Sequence, residues 1–139
     1  MTRIDFYITS NEEALGRERF ACRLAHKVFG LGQLLHIHAG DEVQLARLDE
    51  LLWTFSDTSF LPHARLGATP AAPITLDHER APEPVPELLI NLADEVPAFF
   101  SRFARLAEVI GADAPARETG REHFRFYRDR GYALQVHNV

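Results

Sequence analysis

Cysteine occurs once, at Cys22, so no internal disulfide is possible and the fold has to rest on an apolar core. Lysine is equally scarce, with Lys27 standing beside fourteen arginines. Arginine's planar fork suits bidentate recognition of carboxylates and phosphates, although a GC-rich coding sequence produces the same bias. No apolar run approaches the roughly 20 residues that cross a bilayer. The opening MTRIDFYITS also lacks the basic segment and apolar run of a secretory signal. These absences predict a soluble cytoplasmic protein without a membrane partner. Positive charge is short too: the formal net charge is -5, which disfavours a protein whose main task is gripping a phosphate backbone. The average hides an asymmetry. Residues 1–100 carry eight Lys or Arg against fifteen Asp or Glu, net -7, whereas residues 101–139 carry seven against five, net +2.

What is present is a repeating pattern. Ile4–Ile8 is β-branched and aromatic, as in a strand. Ser10 with Glu13 has capping-box spacing, and Phe20, Leu24 and Val28 with Ala21 and Ala25 make one helical face that stops at Gly30 and Gly32. Leu34–Ala39 predicts a second strand, and Asp41 with Gln44 a second cap before Leu45, Leu48 and Leu52 at helical spacing. Pro70, Pro73, Pro82, Pro84 and Pro86 interrupt the long region without helical periodicity. Within and beyond it the pattern predicts strands at Ile74–Leu76, Leu88–Leu92 and Leu106–Ile110, and helices at Pro97–Arg105 and over residues 115–130. Tyr132–His137 predicts a terminal extended segment. Strands alternating with helices imply an α/β fold: a single Rossmann-like, three-layer domain over residues 1–139, with a mostly parallel sheet.

Such an outline invites a nucleotide, yet the turn after the first strand, Thr9-Ser10-Asn11-Glu12-Glu13, has no glycine and two carboxylates that repel a pyrophosphate. Gly30-Leu31-Gly32 follows a helix and fits a helix stop. His36 and His38 alternate on one side of a strand with Asp41 just beyond it, which supports an alternative reading as a small α/β metal-dependent enzyme. No H-E-x-x-H or second Cys accompanies them, and packed structural histidines fit the pattern better. Cys22, between Ala21 and Arg23, fits a structural thiol rather than a nucleophile. No G-x-S-x-G, Walker sequence or compact acidic pair occurs, so no catalytic residue, cofactor or metal is assigned.

Two surfaces stand out. At about 100° per residue, Arg117, Arg121, Arg125 and Arg128 fall within roughly a quarter turn, with Phe124 at the edge of the stripe and Tyr127 beyond it. Forks beside an aromatic surface suit a short acidic peptide with a hydrophobic end. Pairing with Glu118, Glu122 and Asp129 on a solvated face fits the same spacing. The second surface is Leu48–Phe55, followed by Ser56–Ser59 and Phe60-Leu61-Pro62-His63. Trp53, Phe55, Phe60 and Leu61 suit a partner-covered patch, while Trp53 and Phe60 equally fit caps on the core.

At these places the chain resembles the DNA polymerase III chi subunit family, whose members pair an L-D-E-x-L-W…S-F-x-P-H segment with a late R-E-x-[aromatic]-[basic]-x-Y-R helix. The first is Leu48–Trp53 through Ser59–His63, and the second Arg121–Arg128, then Gly131-Tyr132. Asp5-Phe6-Tyr7, Ala21-Cys22, Leu88–Leu92 and the length match as well. The resemblance implies a Rossmann-like fold without known catalysis that binds the acidic, Phe-terminated C-terminal tail of single-stranded-DNA-binding protein. Arg121 and Arg125 would meet tail carboxylates, Phe124 would line the pocket for the terminal Phe, and Arg128 would assist. Arg125 stands where the family leads one to expect lysine, and Phe124 where it leads one to expect tyrosine. The resemblance further implies a psi subunit on Trp53 and Phe60, bridging to the clamp loader, with a helicase as an alternative occupant. DNA would be contacted mainly through these partners.

Overall fold

The opening apolar segment forms β1 (Arg3–Ile8) in the computed structural model, which describes residues 1–55, 60–69 and 71–139. It leads to α1 (Gly16–Gly30), β2 (Leu35–His38), α2 (Glu42–Thr54), β3 (His63–Arg65), β4 (Ile74–Asp77), β5 (Leu88–Asn91), β6 (Arg105–Ile110), α3 (Ala114–Asp129) and β7 (Leu134–Asn138). Among the described residues the seven strands make one sheet in the order β3-β4-β2-β5-β6-β1-β7, and every pairing there is parallel. The expected three-layer Rossmann-like arrangement is what forms, with the sheet wholly parallel. Among the described residues no helix is long and apolar enough to cross a membrane.

Strand alternation divides the core. Leu35, Ile37, Leu88, Ile90, Ala107 and Val109 face α1 and α2, where they meet Ala21, Ala25, Leu45, Leu48 and Leu52. Ile4, Phe6, Leu89, Leu106 and Ile110 face the other way, onto Tyr127 of α3 and onto Phe100 and Phe103. With both faces covered, the central strands are apolar almost throughout. The second predicted cap is present: Asp41 accepts from the Gln44 amide at 2.8 Å, and the Gln44 side chain accepts from the Gly40 amide at 2.7 Å. The Gly30-Leu31-Gly32 stop is also present, with Gly32 at φ 78°, its amide on the Phe29 carbonyl and the Gln33 amide on that of Val28.

Two expectations are corrected, and one strand is added. Ser10 and Glu13 do not cap α1, which starts six residues after Ser10. Asn11 Oδ1 instead turns the chain by accepting from the Glu13 amide at 2.9 Å, and Gly16 packs so closely on Asn11 that a Cβ there would come within 3.0 Å. Pro97–Arg105 gives one 3-10 turn, Phe100–Arg102, rather than a helix, because Phe100 and Phe103 are both drawn into the core and β6 begins at Arg105. β3, too short and polar to show a period, lies unpredicted at the sheet edge. Ser56–Ser59 and Pro70, noted in the sequence, lie outside the described residues.

Candidate functional site

α3 is fixed from beneath by polar and steric contacts. Its N-terminus is capped by Asp113, whose carboxylate accepts from the Ala116 amide at 3.2 Å. Nearly two turns on, Gly120 permits close approach to β6: a Cβ there would meet the Ile110 side chain at 3.0–3.2 Å. Below lies Glu108, 0% exposed, which accepts from the Tyr127 hydroxyl at 2.5 Å, from His123 Nδ1 at 3.1 Å and from Asn91 Nδ2 at 3.2 and 3.1 Å. Gly120, His123 and Tyr127 are thus the buried face of the helix, and the arginines take the other side.

Between α3 and the β1–β7 edge of the sheet is a cleft of about 200 Å³, bounded by Phe6, Ile8, Ile110, Gly120, Phe124 and Val136, with Arg117 and Arg121 completing its wall. Phe124 lies 5.4 Å from Phe6 between ring centroids. Arg117 donates to the Thr9 carbonyl at 2.9 Å. Arg121 donates to Glu118 at 3.0 Å, and the Arg125 guanidinium stands 3.9 Å from the same carboxylate. Arg128 pairs with Asp129 at 3.3 Å. Of the four residues singled out in the sequence, Arg121 and Phe124 line the cleft, while Arg125 and Arg128 lie further along the exposed stripe. Tyr127 is buried beneath it. Gly120 and the β-strand walls are additions that the helix motif does not signal, although Arg117 shares the phase of the stripe and a glycine inside a helix is itself a signal of close packing.

The second surface, that of Trp53 and Phe60, is organised around His63. His63 is buried with Nδ1 2.7 Å from the Leu61 carbonyl and Nε2 3.1 Å from both the backbone and the carboxylate oxygens of Asp49. Trp53 lies against it, ring centres 4.3 Å apart and planes inclined by 51°, and meets Phe60 at 5.0 Å. Trp53 and Phe60 are 47% and 70% exposed, whereas Leu61, grouped with them in the sequence, is 1% exposed and points into the core beneath.

His36, His38 and Asp41 are not assembled into a ligand set, which corrects the metal-enzyme alternative. His36 Nδ1 meets Thr75 Oγ1 at 2.7 Å and both imidazoles pack against Phe99, while the Asp41 carboxylate is committed to the α2 cap. Burial, aided by neighbouring His38, pushes the His36 imidazole down to about 4. No group of three or more His, Cys, Asp or Glu among the described residues is placed to hold a metal. Cys22 is fully buried, and burial pushes its thiol up to about 12, which suits a structural role. A larger cleft of about 720 Å³ follows β1 and β6 at the carboxyl edge of the sheet. Glu12, Glu13, Glu18, Asp94 and Asp113 in its wall oppose an anionic nucleotide.

Comparison of the sequence with known proteins points to one family. The sequence model described as DNA polymerase III chi subunit, HolC, matches residues 1–135. DNA polymerase III subunit chi of Pseudomonas aeruginosa is 39% identical over 139 residues, covering 100% of this chain and 98% of that protein. The proteins of the same name from Haemophilus influenzae and Escherichia coli are 28% and 26% identical. Their alignments cover 96% and 98% of this chain and 95% and 97% of those proteins. With the described motif residues on α2, at Phe60–His63 and on α3, and a match along nearly its whole length, this chain belongs to the DNA polymerase III chi subunit family.

Proposed function

We propose that the chain is a non-catalytic adaptor of the polymerase III holoenzyme, a single domain over residues 1–139 acting in the cytoplasm. It links the clamp-loader complex to single-stranded-DNA-binding protein by taking up that protein's acidic, Phe-terminated tail. The observation that carries this reading is the cleft under α3: its apolar lining is of a size for one aromatic side chain, and guanidinium groups stand beside it for carboxylates. Arg121 takes the terminal carboxylate or its neighbour, Phe124 packs on the terminal ring, and Arg125 and Arg128 meet the preceding acidic residues. Trp53 and Phe60, supported from below by Leu61 and His63, form the second contact, for psi or another partner such as a helicase.

A fluorescent peptide carrying the host protein's C-terminal tail, titrated beside a copy lacking the terminal Phe, tests the reading. Salt-sensitive binding of the intact peptide alone supports it. Failure of both peptides to bind at low salt overturns it.

A further inference from the structure

α1 carries Arg17, Arg19, Arg23 and Lys27 against Glu18, net +3 in a chain of net -5, so the remainder is at -8. At about 100° per residue, Arg19, Arg23 and Lys27 share an arc of roughly 80°, and each is about 6 Å further along the helix axis than the last. All three are exposed. Three of the four α3 arginines have carboxylates beside them, Glu118 for Arg121 and Arg125 and Asp129 for Arg128, and Arg117 donates to the Thr9 carbonyl. On α1, by contrast, Arg19 and Lys27 form no ion pair among the described residues, and Arg23 sits over an aromatic ring, its guanidinium 5.7 Å from the centre of Phe20.

That ring begins a row. Phe20 lies 5.4 Å from Tyr7, and Tyr7 stacks on His137 at 4.8 Å with an interplanar angle of 17°. All three are only partly buried, so the row leads from the basic helix across β1 to the edge strand β7. Unpaired cations at near-phosphate spacing beside partly exposed flat rings are the two components with which proteins hold single strands: charge follows the backbone and π faces receive the bases.

We infer that the solvent face of α1, together with the Phe20–Tyr7–His137 row, is a docking surface for single-stranded nucleic acid. Charge complementarity by itself would admit an acidic peptide, but the aromatic row adds a surface for bases. The surface lies on the opposite side of the sheet from the α3 cleft, so the two can be occupied together, and the inference stands whether or not that cleft takes a protein tail. With three cations the grip is weak and steeply salt-dependent, log K falling with log salt at a slope of about -2.

Fluorescence anisotropy of a labelled oligothymidylate of about twenty nucleotides at about 20 mM salt is the test. The full chain binds with that slope. Arg19→Glu, Arg23→Glu and Lys27→Glu together weaken it by roughly tenfold or more, and Arg121→Glu with Arg125→Glu changes it by less than about twofold. If the triple charge reversal perturbs folding by circular dichroism, Arg19→Gln, Arg23→Gln and Lys27→Gln replace it, with a loss again expected. Absence of binding to the intact chain, unchanged affinity in the folded triple variant, or displacement by polyglutamate as effective as by unlabelled oligonucleotide overturns the inference, the last in favour of an acidic peptide.

Discussion

The Tyr127 hydroxyl donates to Glu108 Oε2 across 2.5 Å, joining the inner face of α3 to a carboxylate that has no exposed surface. His123 completes the arrangement, with Nδ1 toward Glu108 at 3.1 Å and Nε2 toward the Asp94 carbonyl at 2.7 Å, so both ring nitrogens of an imidazolium find acceptors. Burial opposes that charge, but the Glu108 hydrogen bond and charge together with the Asp94 carbonyl outweigh it and raise the His123 pKa. A raised folded-state value means that the pair stabilises fully below the unfolded value of about 6.5 and loses this contribution as pH rises through the folded value. Urea midpoints measured upward from neutral pH are expected to fall, and His123→Gln to flatten that fall. An unchanged slope in the variant would show that the linkage lies elsewhere.

His36 has the opposite sign. Its folded-state pKa, lowered to about 4, gives stability that is complete above about 6.5 and declines as pH drops toward 4. The loss approaches about 3 kcal/mol at the acid end. Replacing His36 with Gln is expected to reduce the acid sensitivity of the melting temperature, at some cost at neutral pH from the altered Thr75 contact.

Gly120→Ala sets two effects against each other. Alanine favours an α-helix over glycine by about 1 kcal/mol, but the added methyl presses on Ile110, and overpacking of that kind costs about 1–3 kcal/mol. A net loss of about 1 kcal/mol is expected in denaturant unfolding. The same methyl narrows the cleft, so weaker binding of the tail peptide is expected in the folded variant.

Glu118, one turn before Arg121 and two before Arg125, lies 3.0 Å from the first and 3.9 Å from the second and competes for both. Glu118→Gln is therefore expected to tighten tail binding by about threefold, since exposed ion pairs are worth up to about 1 kcal/mol. Arg121→Ala is expected to weaken it by about tenfold or more, through loss of a charge-assisted contact at the cleft wall. Isothermal titration of each variant checks both.

Neighbours in the aromatic segment are expected to behave in contrast. Phe60→Ala, at an exposed position, is expected to change stability by no more than about 0.5 kcal/mol, whereas Leu61→Ala, which leaves a cavity in the core, is expected to cost about 2–5 kcal/mol. Thermal melts of the two variants decide this.

Much of the architecture is legible in the residues because the central strands are short, apolar and bounded by their own signals. The Asp41–Gln44 cap, the Gly32 stop and the buried stripe Leu45, Leu48 and Leu52 follow from local spacing. The start of α1 is not legible in this way, because Ser10 and Glu13 carry cap spacing in a loop whose path is set by Gly16 packing on Asn11. The cleft is half legible. Arg121 and Phe124 belong to a motif on one helix, but Phe6, Ile8, Ile110 and Val136 come from three strands that only the sheet order brings beneath it. Likewise Asp49 and His63 are motif letters far apart in sequence, and only the folded chain shows them hydrogen-bonded under Trp53.

β1 pairs with β6 on one side and β7 on the other, both more than a hundred residues later in the chain. During translation the first strand made therefore waits for nearly the last segment before any neighbour can receive its amides. Chains interrupted before Arg105 leave Ile4 and Phe6 exposed, which makes this end of the nascent protein a place for chaperone capture.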